Sequence, residues 1–204
     1  MFICTFKYKP EDVDCALCAE YAHHRCTAES GCPYIAERIE AGVVDYGEIV
    51  WDTFKRPVPT MLRWRLRHLI DHYTGSMWRD AAHERRFRQM QAIMGTQKKR
   101  DTPQFFAALY PLTANDDITR RAYNCFSYQG IELDYLRLHG ISPKNYALAQ
   151  AARTLYCGTD HFAVADLQDC EMIDTETFRL VVNAVLIARY GMGVAEIPSQ
   201  REGL

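Results

Sequence analysis

The sequence predicts a mainly α-helical protein with a small cysteine-rich lobe at its N-terminus. Two observations support this fold class. After residue 60, apolar residues recur at spacings of three and four through most of the chain, as on the buried face of a helix. Before it, residues 56–59 hold two prolines, which end any helix. We therefore place one lobe at residues 1–56, with one short strand or hairpin, and a helical domain at residues 57–204.

The N-terminal lobe contains four closely spaced cysteines, in the order Cys15-x2-Cys18-x7-Cys26-x5-Cys32. Four thiolates around one tetrahedral ion form a closed structural zinc site, and the Cys-x2-Cys pair has the usual ligand spacing. The Cys-x5-Cys pair is looser. Disulfides would need an oxidising compartment, and the first residues do not resemble a secretory leader; a chance cluster of free thiols is the other alternative. His23 or His24 could replace one cysteine ligand.

Three elements are predicted in the N-terminal lobe. Aromatic and β-branched residues at positions 2–8 favour a short strand. A short helix follows Cys32, with Pro33 at its first position and Gly42 just beyond its end. A second helix is predicted over residues 43–54.

The middle of the chain alternates helices and breaks. Helices are predicted from Thr60 to about residue 75 and from about Ser76 to Met94. Residues 95–103 read as an exposed basic loop. A further helix runs from Pro103 to Leu112.

The C-terminal part continues the helical pattern. We predict a helix from Ile118 to about His139, with a weak point at Gly130. Another starts at Ser142-Pro143 and runs to residue 156, where Gly158 ends it. A short turn is expected at 159–167, and a last long helix from residue 174 or 175 to Gly191 or Gly193.

Charge is unevenly distributed along the chain, although the formal net charge is only −2. Residues 1–54 carry −6, residues 55–100 carry +9 and residues 101–204 carry −5. A basic segment of this kind favours an acidic partner, either a phosphate backbone or an acidic protein surface.

Arginines near tryptophans make the basic segment a candidate binding surface. Nucleic-acid-binding proteins combine phosphate contacts from arginine with stacking on aromatic rings. The alternative is that these arginines pair internally with the acidic flanks. The predicted partner-binding residues are Arg63, Arg67, Arg79, Arg85, Arg86 and Arg88.

Enzymatic sites are weakly indicated, and we interpret the protein as non-enzymatic. His68 and His72 lie four apart on a predicted helix but lack the glutamate of zinc proteases. Cys157 and His161 could form a nucleophile and base, yet no third orienting group is recognisable. No run of about eighteen apolar residues is present, so no membrane span is predicted and a cytoplasmic location is expected.

Residues 8–42 resemble the N-terminus of small uncharacterised proteins carried by bacterial conjugative elements and prophages. The likeness rests on residues 8–14 before Cys15-x2-Cys18, and on Cys26-x5-Cys32 followed by residues 33–42. A zinc-holding anti-CRISPR protein, an inhibitor of the type II RNA-guided nuclease, looks similar in size and character.

The resemblance implies a structural zinc ion and a host-cell cytoplasmic, non-enzymatic protein of a mobile element. It implies a protein that binds the nuclease and hinders guide or DNA loading. The alternative, drawn from the residues alone, is a nucleic-acid-binding accessory protein of a mobile element that uses the basic segment 55–100.

Overall fold

The structure is a computed structural model that describes residues 7–23, 25–28, 31–55 and 58–198. Within these ranges it contains eight α-helices and two short antiparallel hairpins, which confirms the mainly α prediction. The helices are α1 (Ile35–Glu40), α2 (Tyr46–Thr53), α3 (Thr60–Asp71), α4 (Ala81–Met94), α5 (Pro103–Leu112), α6 (Asp116–Ala122), α7 (Pro143–Cys157) and α8 (Thr175–Tyr190). The strands are β1 (Tyr21–Ala22), β2 (Arg25–Cys26), β3 (Phe126–Ser127) and β4 (Gly130–Ile131).

Side-chain caps fix where most of the helices begin. An oxygen of each cap accepts a hydrogen bond from a backbone N–H in the first turn, which would otherwise lack a partner. This is why the structure matches the predicted starts of α5, α7 and α8. The capping residues are Asp45, Asp80, Thr102, Asn115, Ser142 and Asp174.

Helix α5 lies at the centre of the fold and contacts both α7 and α8, which also contact each other. Its residues from Ala107 to Leu112 are all buried. A helix that is apolar on every side must be enclosed by others, so α5 is the element around which the core is built.

A buried polar network links α2, α5 and α8 with the loop at Met77. The Tyr46 hydroxyl donates to Asn183 Oδ1 at 2.6 Å, and Asn183 Nδ2 donates to the carbonyl of Met77 at 3.0 Å. The Tyr110 hydroxyl also donates to the Met77 carbonyl. Because each buried polar group has a partner, the network fixes how α2, α5 and α8 meet.

The predicted helix from Ile118 to His139 is wrong. The α-helix ends at Ala122, a 3-10 turn follows at Tyr123–Cys125, and the hairpin of β3 and β4 then turns the chain back, with Phe126 opposite Ile131. Gly130 closes this turn with φ +157°. The next helix, α7, begins at Pro143 as expected, and Gly158 ends it in the left-handed conformation.

Other boundaries shift by a few residues. Helix α4 starts at Ala81, not near Ser76, because Asp80 caps it. Helix α1 starts at Ile35, two residues after Pro33. The short turn expected at 159–167 is a 3-10 helix at Val164–Gln168. The strand predicted at residues 2–8 lies almost entirely outside the described residues.

The core is continuous across the boundary proposed at residue 56. Tyr46, Ile49 and Val50 of α2 are fully buried in the same hydrophobic cluster as α3, α5 and α8. The division into a lobe at residues 1–56 and a helical domain at residues 57–204 stays a prediction, and α2 shares its core with the helices that follow.

Candidate functional site

The first three predicted zinc ligands, Cys15, Cys18 and Cys26, lie on consecutive turns. The Cys18 N–H donates to the Cys15 carbonyl, and the Tyr21 N–H donates to the Cys18 carbonyl, both at 3.0 Å. Tyr21 then pairs with Cys26 across the β1–β2 hairpin. The local fold therefore brings the backbones of Cys15, Cys18 and Cys26 into one compact loop.

The fourth predicted zinc ligand, Cys32, is anchored to the helical body. The Cys32 N–H donates to Asp52 Oδ1 at 2.8 Å, and Asp52 Oδ2 accepts from the Tyr190 hydroxyl at 2.7 Å and from Arg189 at 3.1 Å. Gly31 allows this approach, because at φ +105° an added Cβ would lie 2.6 Å from Asp52 Oδ1. Asp52 thus joins the cysteine segment, residues 15–32, to α8.

A buried arginine lies beside two of the thiols. Arg38 is 8% exposed, forms a 3.5 Å ion pair with Glu48, and its Nε has no partner among the described residues. Burial opposes its positive charge, but Glu48, Cys15 and Cys32 together raise its pKa above the usual value. A cation at this position would offset part of the negative charge that four thiolates bring to a metal site.

Cys15, Cys18, Cys26 and Cys32 are the residues that would hold the predicted zinc ion, since four thiolates are a usual donor set for structural zinc. In the part of the chain that the structure describes, no three His, Cys, Asp or Glu side chains form a group that could hold a metal ion. His23, one alternative ligand, is exposed, and His24 lies outside the described residues. The zinc site stays a prediction.

Half of the predicted partner-binding arginines are paired internally. Arg79 binds Glu176 at 2.9 Å, and Arg88 binds Glu84 at 2.8 Å. Arg86 binds Asp116 at 2.9 Å and donates to the carbonyls of Thr113 and Ala114. Arg79 and Arg86 therefore pair with the acidic C-terminal flank, as the alternative predicts, whereas Arg88 pairs with Glu84 of its own helix.

The other three arginines are exposed. The side chains of Arg63, Arg67 and Arg85 form no hydrogen bond or ion pair with the residues that the structure describes. Arg63 and Arg67 lie one turn apart on α3 and line a cleft of about 460 Å³ together with Trp51 and Lys55. We call this cleft, with the adjacent Trp64, the α3 surface.

Two tryptophans are exposed on the α3 surface. Trp64 is 60% exposed and Trp51 39%. Trp64 precedes Arg67 by three residues, so the ring and the guanidinium are neighbours on the helix. Trp51 belongs to α2 and was not among the predicted site residues. It lies on the outer side of a helix whose other face is buried, and this position could have identified it.

Two further arginines of the basic segment have structural roles. Arg65 is 5% exposed, donates to the carbonyls of Leu167 and Ile173, and stacks over the Phe178 ring at 4.2 Å. Arg100 is 7% exposed and binds Asp101 at 2.6 Å. The loop at 95–103 is therefore exposed at Lys98 and Lys99 but not at Arg100, which corrects the prediction of a wholly exposed loop.

The two candidate catalytic pairs differ in geometry. His68 Nδ1 and His72 Nδ1 are 2.6 Å apart on the outer face of α3, so one imidazole donates to the other. Cys157 and His161 line one cleft of about 560 Å³ with Arg153, and no hydrogen bond joins them among the described contacts. His72 Nδ1 also lies 2.8 Å from the His68 carbonyl. Catalysis at either pair stays untested.

None of the described helices has the length and apolar character needed to cross a membrane. Comparison of the chain with protein-family models, with curated proteins and with solved structures gives no match.

Proposed function

We propose that this protein is a non-enzymatic binding protein that contacts nucleic acid with unpaired bases through the α3 surface. One observation carries the proposal. Arg63 and Arg67 are exposed without a described partner, and they lie beside the exposed ring of Trp64. Guanidinium groups contact phosphates, and an exposed indole offers a face on which an unpaired base stacks.

The charge of α3 supports an acidic partner. Asp71 is the one acidic residue of the helix, against three arginines, of which Arg65 is buried. Arginine in place of lysine adds a planar fork that contacts two phosphate oxygens at once. The surface therefore offers two phosphate contacts and a stacking platform within two helical turns.

The proposal includes a structural zinc ion held by Cys15, Cys18, Cys26 and Cys32. When bound, zinc would contribute folding free energy to the N-terminal segment. Arg38 would offset the negative charge of the thiolates, and Asp52 would hold Cys32 against the helical body. The ion would have no part in chemistry.

Fluorescence anisotropy with labelled single-stranded DNA, RNA and duplex DNA tests the binding function. We expect single strands to bind more tightly than the duplex, with an affinity that falls steeply as salt rises. Arg63→Glu with Arg67→Glu should weaken binding at least about tenfold, and Trp64→Ala should weaken it by about 1 to 3 kcal/mol.

The matched control is Lys98→Glu with Lys99→Glu, which makes the same charge change in an exposed loop. This control should keep most of the affinity. Equal losses in both double variants would mean that only overall charge matters, and no binding at low salt would refute the proposal.

The nuclease-inhibitor function is a prediction from the resemblance alone, and the α3 surface is compatible with it. Pull-down with a type II RNA-guided nuclease, followed by a cleavage assay, separates the two functions. Binding to the nuclease without binding to free nucleic acid would replace our proposal with the inhibitor function.

A further inference from the structure

A second cavity lies on a different part of the molecule, between the start of α7 and the segment 161–173. Its volume is about 470 Å³. Small-molecule sites usually measure about 300 to 1,000 Å³ and are lined mostly by apolar groups. The cavity has the size of such a site, and no residue of the α3 surface lines it.

The wall of the cavity is largely apolar. Ala147, Phe162 and Ile173 line it, and Ile173 is packed into the core. At its edge, Met172 is 62% exposed and Tyr146 42% exposed. A ligand with an apolar body would remove these side chains from water, which is the main source of affinity in such a site.

The rim of the cavity is acidic. Residues 158–176 contain six Asp and Glu residues and no Lys or Arg. Asp174 is paired with Lys144 and Glu176 with Arg79, at 2.6 and 2.9 Å. Two of the others, Asp166 and Asp169, line the cavity, and neither forms an ion pair with a described residue.

Both rim carboxylates are held in place by the backbone. Asp166 Oδ2 accepts the Ala163 N–H at 2.7 Å, and Asp169 Oδ1 accepts the Met172 N–H at 3.0 Å. The second oxygen of each carboxylate has no described hydrogen bond. Two oriented negative groups at the edge of an apolar cavity select a ligand with an apolar body and a positive head.

We propose that this cavity binds a small hydrophobic amine. Its hydrocarbon body lies against Ala147, Phe162 and Ile173, and its ammonium group pairs with Asp166 and Asp169. The site is independent of the α3 surface and has the opposite charge preference.

Three probes of equal chain length test the charge preference. Octylammonium, octanol and octanoate are compared by ligand-observed NMR and calorimetry at pH 8, where an alkylammonium group is charged. We expect octylammonium to bind at least about fivefold more tightly than octanol, because each partly exposed ion pair contributes modestly. Octanoate should bind weakest.

Variants locate the site. Asp166→Asn with Asp169→Asn should reduce the affinity for octylammonium to that for octanol. The control, Asp134→Asn, changes an exposed aspartate outside the cavity and should leave the affinities for octylammonium and octanol unchanged. Ala147→Phe should block all three probes. Since Ala147 is half-buried, Met172→Lys at the exposed edge is a second test, with the expected loss confined to octylammonium.

Equal affinity for the three probes, or no binding of any of them, would overturn the proposal. Unchanged binding in both the aspartate pair and Met172→Lys would also overturn it. Nucleic-acid binding by the α3 surface is unaffected by any of these outcomes.

Discussion

His83 is fully buried between α4 and α5 and is held in one neutral form. The Arg79 N–H donates to Nδ1 at 3.2 Å, so the proton lies on Nε2, which donates to the Tyr110 carbonyl at 2.9 Å. Burial lowers the pKa of His83 to about 4 from 6.5, although the Tyr110 carbonyl opposes the shift. Arg86 nearby adds to the lowering.

This shift predicts an acid-sensitive fold. The unfolded chain binds a proton at His83 below pH 6.5 and the folded chain only near pH 4, so stability falls as the pH drops between these values. The loss should reach about 3 kcal/mol, measured as the free energy of unfolding in urea at several pH values. His83→Gln should flatten the curve in this range.

His139→Gln, at an exposed position, is the control and should keep the dependence. Asp174 does not contribute to the pH dependence between pH 4 and pH 6.5. Partial burial raises its pKa, but Lys144 and Thr177 lower it more, from 3.8 to about 2, which is below this range. A free energy of unfolding equal at pH 7 and pH 4.5 would contradict the prediction.

The arginines show how far the burial of a single residue could be predicted from the sequence. Arg65 lies on the same face of α3 as Leu62, Leu66 and Leu69, whereas Arg63 and Arg67 lie opposite. Helical periodicity alone therefore could have separated the buried arginine from the exposed ones. The pairing of Arg86 with carbonyls of residues 113 and 114 could not have been read from the sequence, because it depends on how α4 meets the end of α5.

At the scale of elements, helix starts were predictable where a capping side chain precedes an apolar repeat. Thr102 before Pro103 and Ser142 before Pro143 mark α5 and α7. The segment after Ala122 was not predictable in this way. Its spacing of apolar residues also suits a helix, and the hairpin forms because Ile131 and Leu133 are buried in the tertiary core.

Gly130 should be essential to this hairpin. An added Cβ would lie 2.5 Å from the Tyr156 hydroxyl, which accepts the Ile131 N–H at 3.3 Å. We expect Gly130→Ala to destabilise the protein by about 1 to 3 kcal/mol through overpacking, seen as a lower melting temperature.

Gly193→Ala is the matched control, because no atom lies within 4 Å of an added Cβ there. It should leave the melting temperature nearly unchanged. If Gly130→Ala and Gly193→Ala have the same melting temperature, the close approach of Tyr156 does not constrain the turn.

At the scale of the whole molecule, α2 and Asp52 tie the cysteine segment to the core. Helix α2 is buried in the main cluster, while the Cys32 backbone is bound by Asp52 at the outer end of that helix. The spacing of the cysteines predicts zinc ligands in this segment, and these stay a prediction. It could not predict this attachment, because Tyr190 and Arg189, which hold Asp52, are far away in the sequence.

Removing zinc should therefore loosen the N-terminal segment more than the core. A strong chelator, or Cys15→Ser, should lower the melting temperature and speed hydrogen exchange in residues 15–41, while α5 and α8 keep their protection. Cys157→Ser, at an exposed cysteine outside the segment, should leave both measurements unchanged. If a chelator leaves the melting temperature unchanged and elemental analysis finds no zinc, the segment has no structural metal ion. Arg38 and Asp52 would then hold this segment without it.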